Sequence, residues 1–494
     1  MELYITESKI MTTNNQLASG VFYTAISKYT GIFISLIVTA ILARLLSPDE
    51  FGVVAVATVI ITFFGIFTDL GISPAIIQNK ELKEKDLSNI FSFTIFGGII
   101  LSVLFFILSW IIGNYYKNET LITICQLLSI NLLFSALNIV PNALLYKDKL
   151  FRYIAIRSLI VQLIGGFLSI IAALANAGLY ALIINPIFSS IFIFIISYRK
   201  KPQQISFTLG FDSIKKILTF SSYQFLFNVI NYFSRNLDKL LIGRYMSMGA
   251  LGYYEKSYRL MMMPLQNITH VISPVMHPVF SEMQDNISKL AMSYERVIRI
   301  LAFIGFPLSI FLYFTSTEIT LILFGNQWIK SIAPFQILAL SVGIQIIMST
   351  SGSIFQAAND TKSMFICGLF SATLTVSSLL IGIFVFKTLE AVSWSICIAF
   401  TINFIQCYWM MYRATFKRSV NFFIRGLITP LFLSLILATV LYLFSLINRD
   451  INLYISFLIK GSLFTLCLIA NFMVTNEYSL KDKLLNQIKR LRKQ

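Results

Sequence analysis

The run VFYTAISKYTGIFISLIVTAILARLL, Val21 to Leu46, is followed by Ser47-Pro48-Asp49-Glu50 and then by a second apolar run that reaches Gln78. Each run exceeds the roughly 20 residues that a helix needs to cross about 30 Å of hydrocarbon. The first is too long for a signal-peptide core and ends in Arg44 and Pro48 instead of a small-residue cleavage site, so it is expected to be kept as a membrane helix. The pattern of apolar run and short polar turn continues along the chain. It predicts fourteen helices near 21–46, 51–78, 87–112, 120–145, 153–175, 178–198, 214–245, 249–283, 290–315, 331–357, 361–386, 391–412, 422–446 and 452–474. No alternating barrel pattern competes, so the fold class is an all-α polytopic membrane protein.

Composition agrees with this. Hydrophobic residues make up 57% of the chain and charged residues 12%, and the mean hydropathy is +0.78; together these exclude an ordinary soluble protein. A net charge of +17 would suggest nucleic acid in a soluble chain, but here the cations sit in the turns between spans, where anionic lipid is the natural partner. Nucleic-acid binding is not expected. The five cysteines all lie in apolar spans, without a CxxC pair or histidines at ligand spacing, and read as core residues; no metal or cofactor is implied.

Taking the turns alternately, one set carries 26 Lys and Arg and the other only six, namely Arg44, Lys117, Arg244, Lys330, Lys387 and Arg449. The richer set faces the cytoplasm by the positive-inside rule, which places both termini inside. The turns of the poorer set are short, the longest running from Thr315 to Ser331, and leave no room for a protruding domain or an outer catalytic loop. Met11 is an alternative start, since the preceding residues add nothing the membrane region needs.

A shift of 200 residues aligns Arg44, Ser47 and Gly52 with Arg244, Ser247 and Gly252, and Ile72-Ser73-Pro74 with Ile272-Ser273-Pro274. No gap is needed. An even number of helices separates the copies, so both enter the membrane the same way and would be related by an axis along its normal, a transporter arrangement. The expected organisation is a cytoplasmic N-terminus (1–20), an N-lobe of six helices (21–198), a cytoplasmic linker (199–213), a C-lobe of six helices (214–412), two further helices (413–474) and a basic amphipathic tail (475–494).

Seven cations fall inside the apolar runs: Lys28, Arg157, Arg235, Lys239, Lys256, Arg259 and Lys460. A charge at mid-membrane costs about 2.5–3.5 kcal/mol on insertion scales, so such groups must be paired or wet. Arg235, Asp238 and Lys239 share one face of the seventh helix, and Glu255, Lys256 and Arg259 share one face of the eighth. Counting about 1.5 Å per residue from the turn near Met248 puts Asp238 level with Arg259 and Lys239 level with Glu255, so two ion pairs are allowed. The six charges still sum to a cationic excess. Lys28 and Asp69 are a smaller version of the same arrangement, level with each other across the first hairpin. Arg157 and Lys460 lie near helix ends and could snorkel.

Several motifs have a family likeness. Ala43-Arg44-Leu45-Leu46-Ser47-Pro48-Asp49-Glu50-Phe51-Gly52, then Asp69-Leu70-Gly71-Ile72 and Ala75-Ile76-Ile77-Gln78, resembles the signature of bacterial polysaccharide flippases of the Wzx type. Pro141-Asn142-Ala143-Leu144-Leu145 with Phe151-Arg152, Asn236 and Asp238, Leu251-Gly252-Tyr253-Tyr254, Pro264, and Phe324-Gly325 with Trp328 extend the likeness to the tenth helix. The pattern departs at Ser19-Gly20 and Phe22-Tyr23, where a Lys-Gly pair and a Trp are expected. The similarity is to the lipopolysaccharide and colanic-acid exporter branch of the multidrug/oligosaccharidyl-lipid/polysaccharide superfamily.

That resemblance implies two six-helix lobes and transport of an undecaprenyl-pyrophosphate-linked oligosaccharide from the inner to the outer leaflet by alternating access. It also implies a bacterial inner-membrane location and other membrane proteins of polysaccharide assembly as neighbours. A pyrophosphate calls for Arg as a bidentate grip and Lys as a point charge; Lys28, Arg235, Lys239, Lys256 and Arg259 are the candidates. Asp69, Asp238 and Glu255 are the carboxylates placed to bind a proton or a sodium ion for coupling. An ion-coupled drug or metabolite antiporter of the same superfamily is the alternative, and it would be expected to line its cavity with unpaired carboxylates. An enzyme is not expected.

Overall fold

The computed structural model describes residues 2–69, 71–79, 81–206, 229, 232–233, 235–447 and 451–475. Among them every regular element is helical. The expected amphipathic tail beyond residue 475, residues 207–213 of the linker and most of the seventh helix lie outside these residues. Eleven helices are long and apolar enough to cross a membrane, or twelve if the bent pair Asn326–Ala339 and Val342–Ala357, at 48° to each other, is one span. The expected fourteen is therefore not reached among the described residues. The eighth expected helix is present at full length, and its polar side chains keep it out of the apolar count.

The chain divides into two compact units, Met1–Gly252 and Tyr253–Gln494. The first contains α1 (Glu2–Leu45), α2 (Pro48–Asp69), α3 (Ile72–Gln78), α4 (Glu84–Tyr116), α5 (Glu119–Leu137), α6 (Ile139–Lys147), α7 (Phe151–Leu174) and α8 (Ala181–Lys200). It also holds the helical residues 235–245, here α9, and the first turn of α10 (Met248–Ser281), so the division falls inside that helix. α1 begins at Glu2, about five turns before the expected start at Val21. α4 packs on α5, α1 on α7 and α7 on α8.

Local sequence explains where these helices start. Ser47 caps α2: its hydroxyl accepts the Glu50 N–H at 3.4 Å, while the Glu50 carboxylate accepts the Ser47 N–H at 2.7 Å. This reciprocal box, with Pro48 in the first helical position where no N–H is needed, satisfies donors that the helix cannot. Ser247 does the same work for α10, accepting the Ala250 N–H at 2.9 Å. The repeated serines are thus caps.

Two expected helices are broken. The span read as 51–78 stops at Asp69 and resumes at Ile72, with Gly71 between them at φ 76°. The Asp69 carboxylate accepts the Ser73 N–H at 3.3 Å and so serves the start of α3. The span read as 120–145 divides at Asn138 into α5 and α6. The short pieces α3 and α6 then pack on the start of α4, burying Ile72, Ile76, Ile90, Phe91, Val140 and Ala143 together. One straight helix could not turn both surfaces into that core.

In the second unit follow α11 (Ile287–Phe314), α12 (Ser316–Phe324), α13 (Ile332–Ala339), α14 (Val342–Met348), α15 (Ser351–Ala357), α16 (Thr361–Leu380), α17 (Leu389–Met410), α18 (Asn421–Ile447) and α19 (Leu453–Thr475). The segment expected to be an outer loop, Thr315 to Ser331, instead folds into α12 and a 3-10 turn over Asn326–Ser331. The expected tenth helix is likewise broken into α13, α14 and α15. The Gly343 N–H, one of the donors freed at the first break, is taken by the Ser309 hydroxyl at 2.7 Å, and a Cβ on Gly343 would sit 2.8 Å from the Gly305 carbonyl carbon, so α14 and α11 touch through backbone. Buried Tyr294 binds Thr350 Oγ1 at 2.9 Å and the Tyr408 hydroxyl at 2.8 Å, and Tyr408 in turn donates to the Ile347 carbonyl at 3.0 Å. This network joins α11, α17 and the ends of α14 and α15, where carbonyls would otherwise be orphaned.

Asp360 caps α16 through the Ser363 N–H at 3.0 Å and accepts the Thr415 hydroxyl at 2.7 Å. Burial alone would raise its pKa, but the bonds from Thr415 and Ser363 and the charge of Lys362 outweigh that, and the carboxyl lies below its ordinary value of 3.8. A depressed folded-state pKa stabilises above the unfolded value and is lost as pH falls through the folded one. Asp360→Ala should therefore cost about 1 kcal/mol at pH 7, as loss of an N-cap does, and thermal unfolding at pH 3 and below should show a much smaller difference from the parent.

Candidate functional site

The repeated glycines occupy one crossing. A Cβ on Gly52 would lie 1.8 Å from the carbonyl oxygen of Met248, and a Cβ on Gly252 would lie 2.0 Å from the carbonyl oxygen of Pro48. Pro48 and Met248 are themselves 200 residues apart. The first turns of α2 and α10 therefore meet backbone to backbone in a reciprocal contact that no larger residue could occupy. Asp49 extends it, its carboxylate lying 3.0 Å from where a Cβ on Gly249 would be.

α9 is held beside this crossing. The Tyr116 hydroxyl donates to the Leu240 carbonyl at 3.1 Å, the Tyr232 hydroxyl donates to the Val59 carbonyl, and the Arg244 guanidinium lies 4.8 Å above the Tyr115 ring. On α9 itself, Arg235 is exposed and Lys239 half-buried, while Asp238 is buried and accepts the Lys239 N–H at 2.8 Å. Lys28 is exposed on α1. It makes no ion pair with Asp69 among the described residues. The pairing that equal depth allowed is replaced by the cap on α3, because the break at Gly71 brings a free N–H to that carboxylate.

In the second unit Arg259 is exposed and Glu255 half-buried on α10. Lys256 departs from the expected cation presented to a ligand. Only 2% exposed, its ammonium lies 5.2 Å from the Phe324 ring centre and 5.5 Å from that of Trp328. Gly325, at φ 90°, turns the chain so that both rings reach the same lysine. Ser331 donates to the Tyr253 carbonyl at 3.0 Å and fixes the same segment on α10. Aromatic faces offset part of the cost of a desolvated cation, by about 2 kcal/mol, and the motif Phe324-Gly325 with Trp328 thereby acquires a structural reason.

Arg157 and Lys460 do not snorkel. Both are buried. Arg157 donates to the Ser197 hydroxyl and, through Nη2, to Asn142 Oδ1 at 3.1 Å. Lys460 forms an ion pair with Glu318 and donates to the Phe314 carbonyl at 2.7 Å; Ser456 donates to the same carboxylate at 2.7 Å. Sequence reading missed Glu318 because it lies in the stretch taken for a loop. Among the described residues no group of three His, Cys, Asp or Glu could hold a metal ion.

The reciprocal crossing, five of the seven embedded cations (Arg157, Arg235, Lys239, Lys256 and Arg259) and the motif around Trp328 fall within residues 41–333, the stretch matched by the family model described as polysaccharide biosynthesis protein. That is more than half of the chain. It belongs to this family. Among individual relatives, the lipopolysaccharide biosynthesis protein WzxC of Escherichia coli (strain K12) is 24% identical over 448 residues, 89% of each chain. The teichuronic acid biosynthesis protein TuaB of Bacillus subtilis (strain 168) is 24% identical over 481 residues, 96% of this chain and 98% of its own. Among solved structures, the lipid II flippase MurJ in an inward closed conformation superposes with a TM-score of 0.73 at 16% identity, covering 92% of this chain and 99% of that one. An inward-facing multidrug resistance MATE transporter of the MOP superfamily gives 0.58 at 17% identity, covering 78% and 95%. These two likenesses show the fold alone, a multi-pass helical arrangement.

Proposed function

We propose that this protein moves a lipid-linked oligosaccharide repeat unit across the bacterial inner membrane by alternating access, with the lipid carrier's pyrophosphate held by cations and the polyprenyl tail left in the bilayer. The observation that carries this reading is the exposure of Lys28 on α1, Arg235 on α9 and Arg259 on α10, three helices of a multi-pass membrane fold. An exposed cation in a membrane helix is costly and is retained where an anion or water meets it. The names of relatives support an oligosaccharide cargo: lipopolysaccharide and teichuronic acid biosynthesis. In this reading the protein is a transporter and not an enzyme, its termini are cytoplasmic, and other membrane proteins of polysaccharide assembly receive the product.

Lys239 joins the grip from α9, while Lys256 contributes by setting the pose of α10 from its aromatic seat. Asp238 is the strongest candidate for coupling to a proton or sodium gradient, being buried beside Lys239; Glu255 is second, and Asp69 is committed to a cap. The antiporter alternative is weaker because the exposed charges of this set are basic.

Reconstituted proteoliposomes carrying a fluorescent undecaprenyl-pyrophosphate oligosaccharide provide the test. Arg235→Gln and Arg259→Gln should each slow flipping at least tenfold, with thermal unfolding of each variant as the folding control; charge-assisted contacts to phosphate are worth about 1.5–3 kcal/mol each. Unchanged flipping in both variants would remove the pyrophosphate grip from the proposal.

A further inference from the structure

A second cationic feature lies in the first unit, where α7 begins against α1. It is a cavity of about 600 Å3 lined by Tyr23 and by Lys149, Phe151, Arg152, Tyr153 and Ile156. The volume is within the range of small-ligand sites. One of its two lining cations is held by an aromatic ring, the Arg152 guanidinium lying 5.7 Å above Tyr23, and beyond the lining Lys200 lies 5.8 Å above Tyr153. Lys149 stands at φ 55° in the turn between α6 and α7, a conformation that costs a non-glycine residue free energy. The one carboxylate in that turn, Asp148, is taken by an ion pair with Lys201. The rim is therefore cationic.

From Ile156 an exposed apolar stripe runs the length of α7 through Ile160, Leu163, Phe167, Ile171 and Leu174, each between 45% and 64% exposed. Steps of three and four residues keep these side chains on one helix face. In a membrane helix such a face meets hydrocarbon. Cationic cavity and apolar stripe are thus continuous, and together they match one molecule with an anionic head and a long apolar tail. Arg can grip two phosphate oxygens at once, and Lys adds a point charge.

We propose that this cavity docks the diphosphate of a prenyl lipid, with the tail lying along the α7 stripe. The site rests on the transport reading, for which it is a place where cargo waits before entering the pathway. Full-length protein in detergent is titrated with farnesyl pyrophosphate, inorganic pyrophosphate and phosphatidylglycerol, binding being read by native mass spectrometry. The variant is Lys149→Asn with Arg152→Gln; asparagine tolerates the turn's positive φ, and both parent side chains are exposed, so unchanged thermal unfolding is the folding control.

Wild type should bind farnesyl pyrophosphate at least tenfold more tightly than either competitor, and the double variant should lose at least tenfold. Equal binding by the variant overturns the proposal, as does equal binding of inorganic pyrophosphate, which would leave no role for the tail, or of phosphatidylglycerol, which would make the cavity a bulk-lipid anchor. Flipping by the same wild-type preparation separates the two readings. Flipping without binding that depends on Lys149 and Arg152 defeats the docking site alone, whereas such binding without flipping defeats the transport reading and leaves the docking site standing.

Discussion

Gly252→Leu should lower stability by at least about 3 kcal/mol and, under the proposed function, stop flipping, and Gly52→Leu should do the same. Even the Cβ of alanine would have to sit 2.0 Å or 1.8 Å from a carbonyl oxygen of the opposing helix, far inside van der Waals contact, and backbone cannot yield as a flexible side chain does. Overpacking of this kind costs about 1–3 kcal/mol when only side chains give way, and more when helices must separate. Because the two glycines close one crossing from opposite sides, their effects should not add. A Gly52→Ala, Gly252→Ala double variant should be less destabilised than the sum of the singles, since the first separation relieves the second. The measurement is thermal unfolding of purified protein with flipping in the same proteoliposomes. Full additivity, or near-normal stability in Gly252→Leu, would mean that the helices do not touch at that point.

Lys460→Met should destabilise by about 3–5 kcal/mol, the usual consequence of removing one partner from a buried ion pair and stranding the other. Glu318 would be left with the Ser456 hydroxyl as its remaining polar contact and with a charge the bilayer does not solvate. Glu318→Gln should be milder, because its amide can still bond Ser456 and because Lys460 keeps the Phe314 carbonyl. The decisive variant is Glu318→Leu with Lys460→Met, which replaces both charges by apolar groups of similar size and should recover most of the loss. Unfolding temperature is the readout. If the double variant were as unstable as Lys460→Met, the pair would be contributing through more than its own charge balance, and α19 would owe its attachment to packing that the methionine disrupts.

The charged residues show how far sequence reasoning extends. That Arg235, Asp238, Lys239, Glu255, Lys256 and Arg259 are special was legible, because a charge within an apolar run is costly wherever it ends up. Which of them is presented and which is packed away was not. Lys256 and Arg259 differ by less than one helical turn, yet one is 2% exposed and the other open, because only one of the two directions is occupied by Phe324 and Trp328. Lys460 and Glu318 are 142 residues apart, and no periodicity connects them. The Lys28 and Asp69 pairing failed for a related reason: equal depth in a hairpin assumes straight helices, and Gly71 ends α2 and turns the carboxylate to a local N–H.

Hydropathy by itself determined the all-helical class, because a backbone in lipid must satisfy its hydrogen bonds within each segment and only long apolar runs can do so by helix formation. The 200-residue repeat was also in the letters, and with it the serines that cap and the glycines that could touch. Tertiary structure alone decided that the glycines do touch each other's helices, that three spans break, that a supposed loop is a helix carrying half of a buried ion pair, and that two rings enclose one lysine. Those outcomes depend on which distant surfaces meet, and contact free energy between residues far apart in sequence leaves no local trace in the chain.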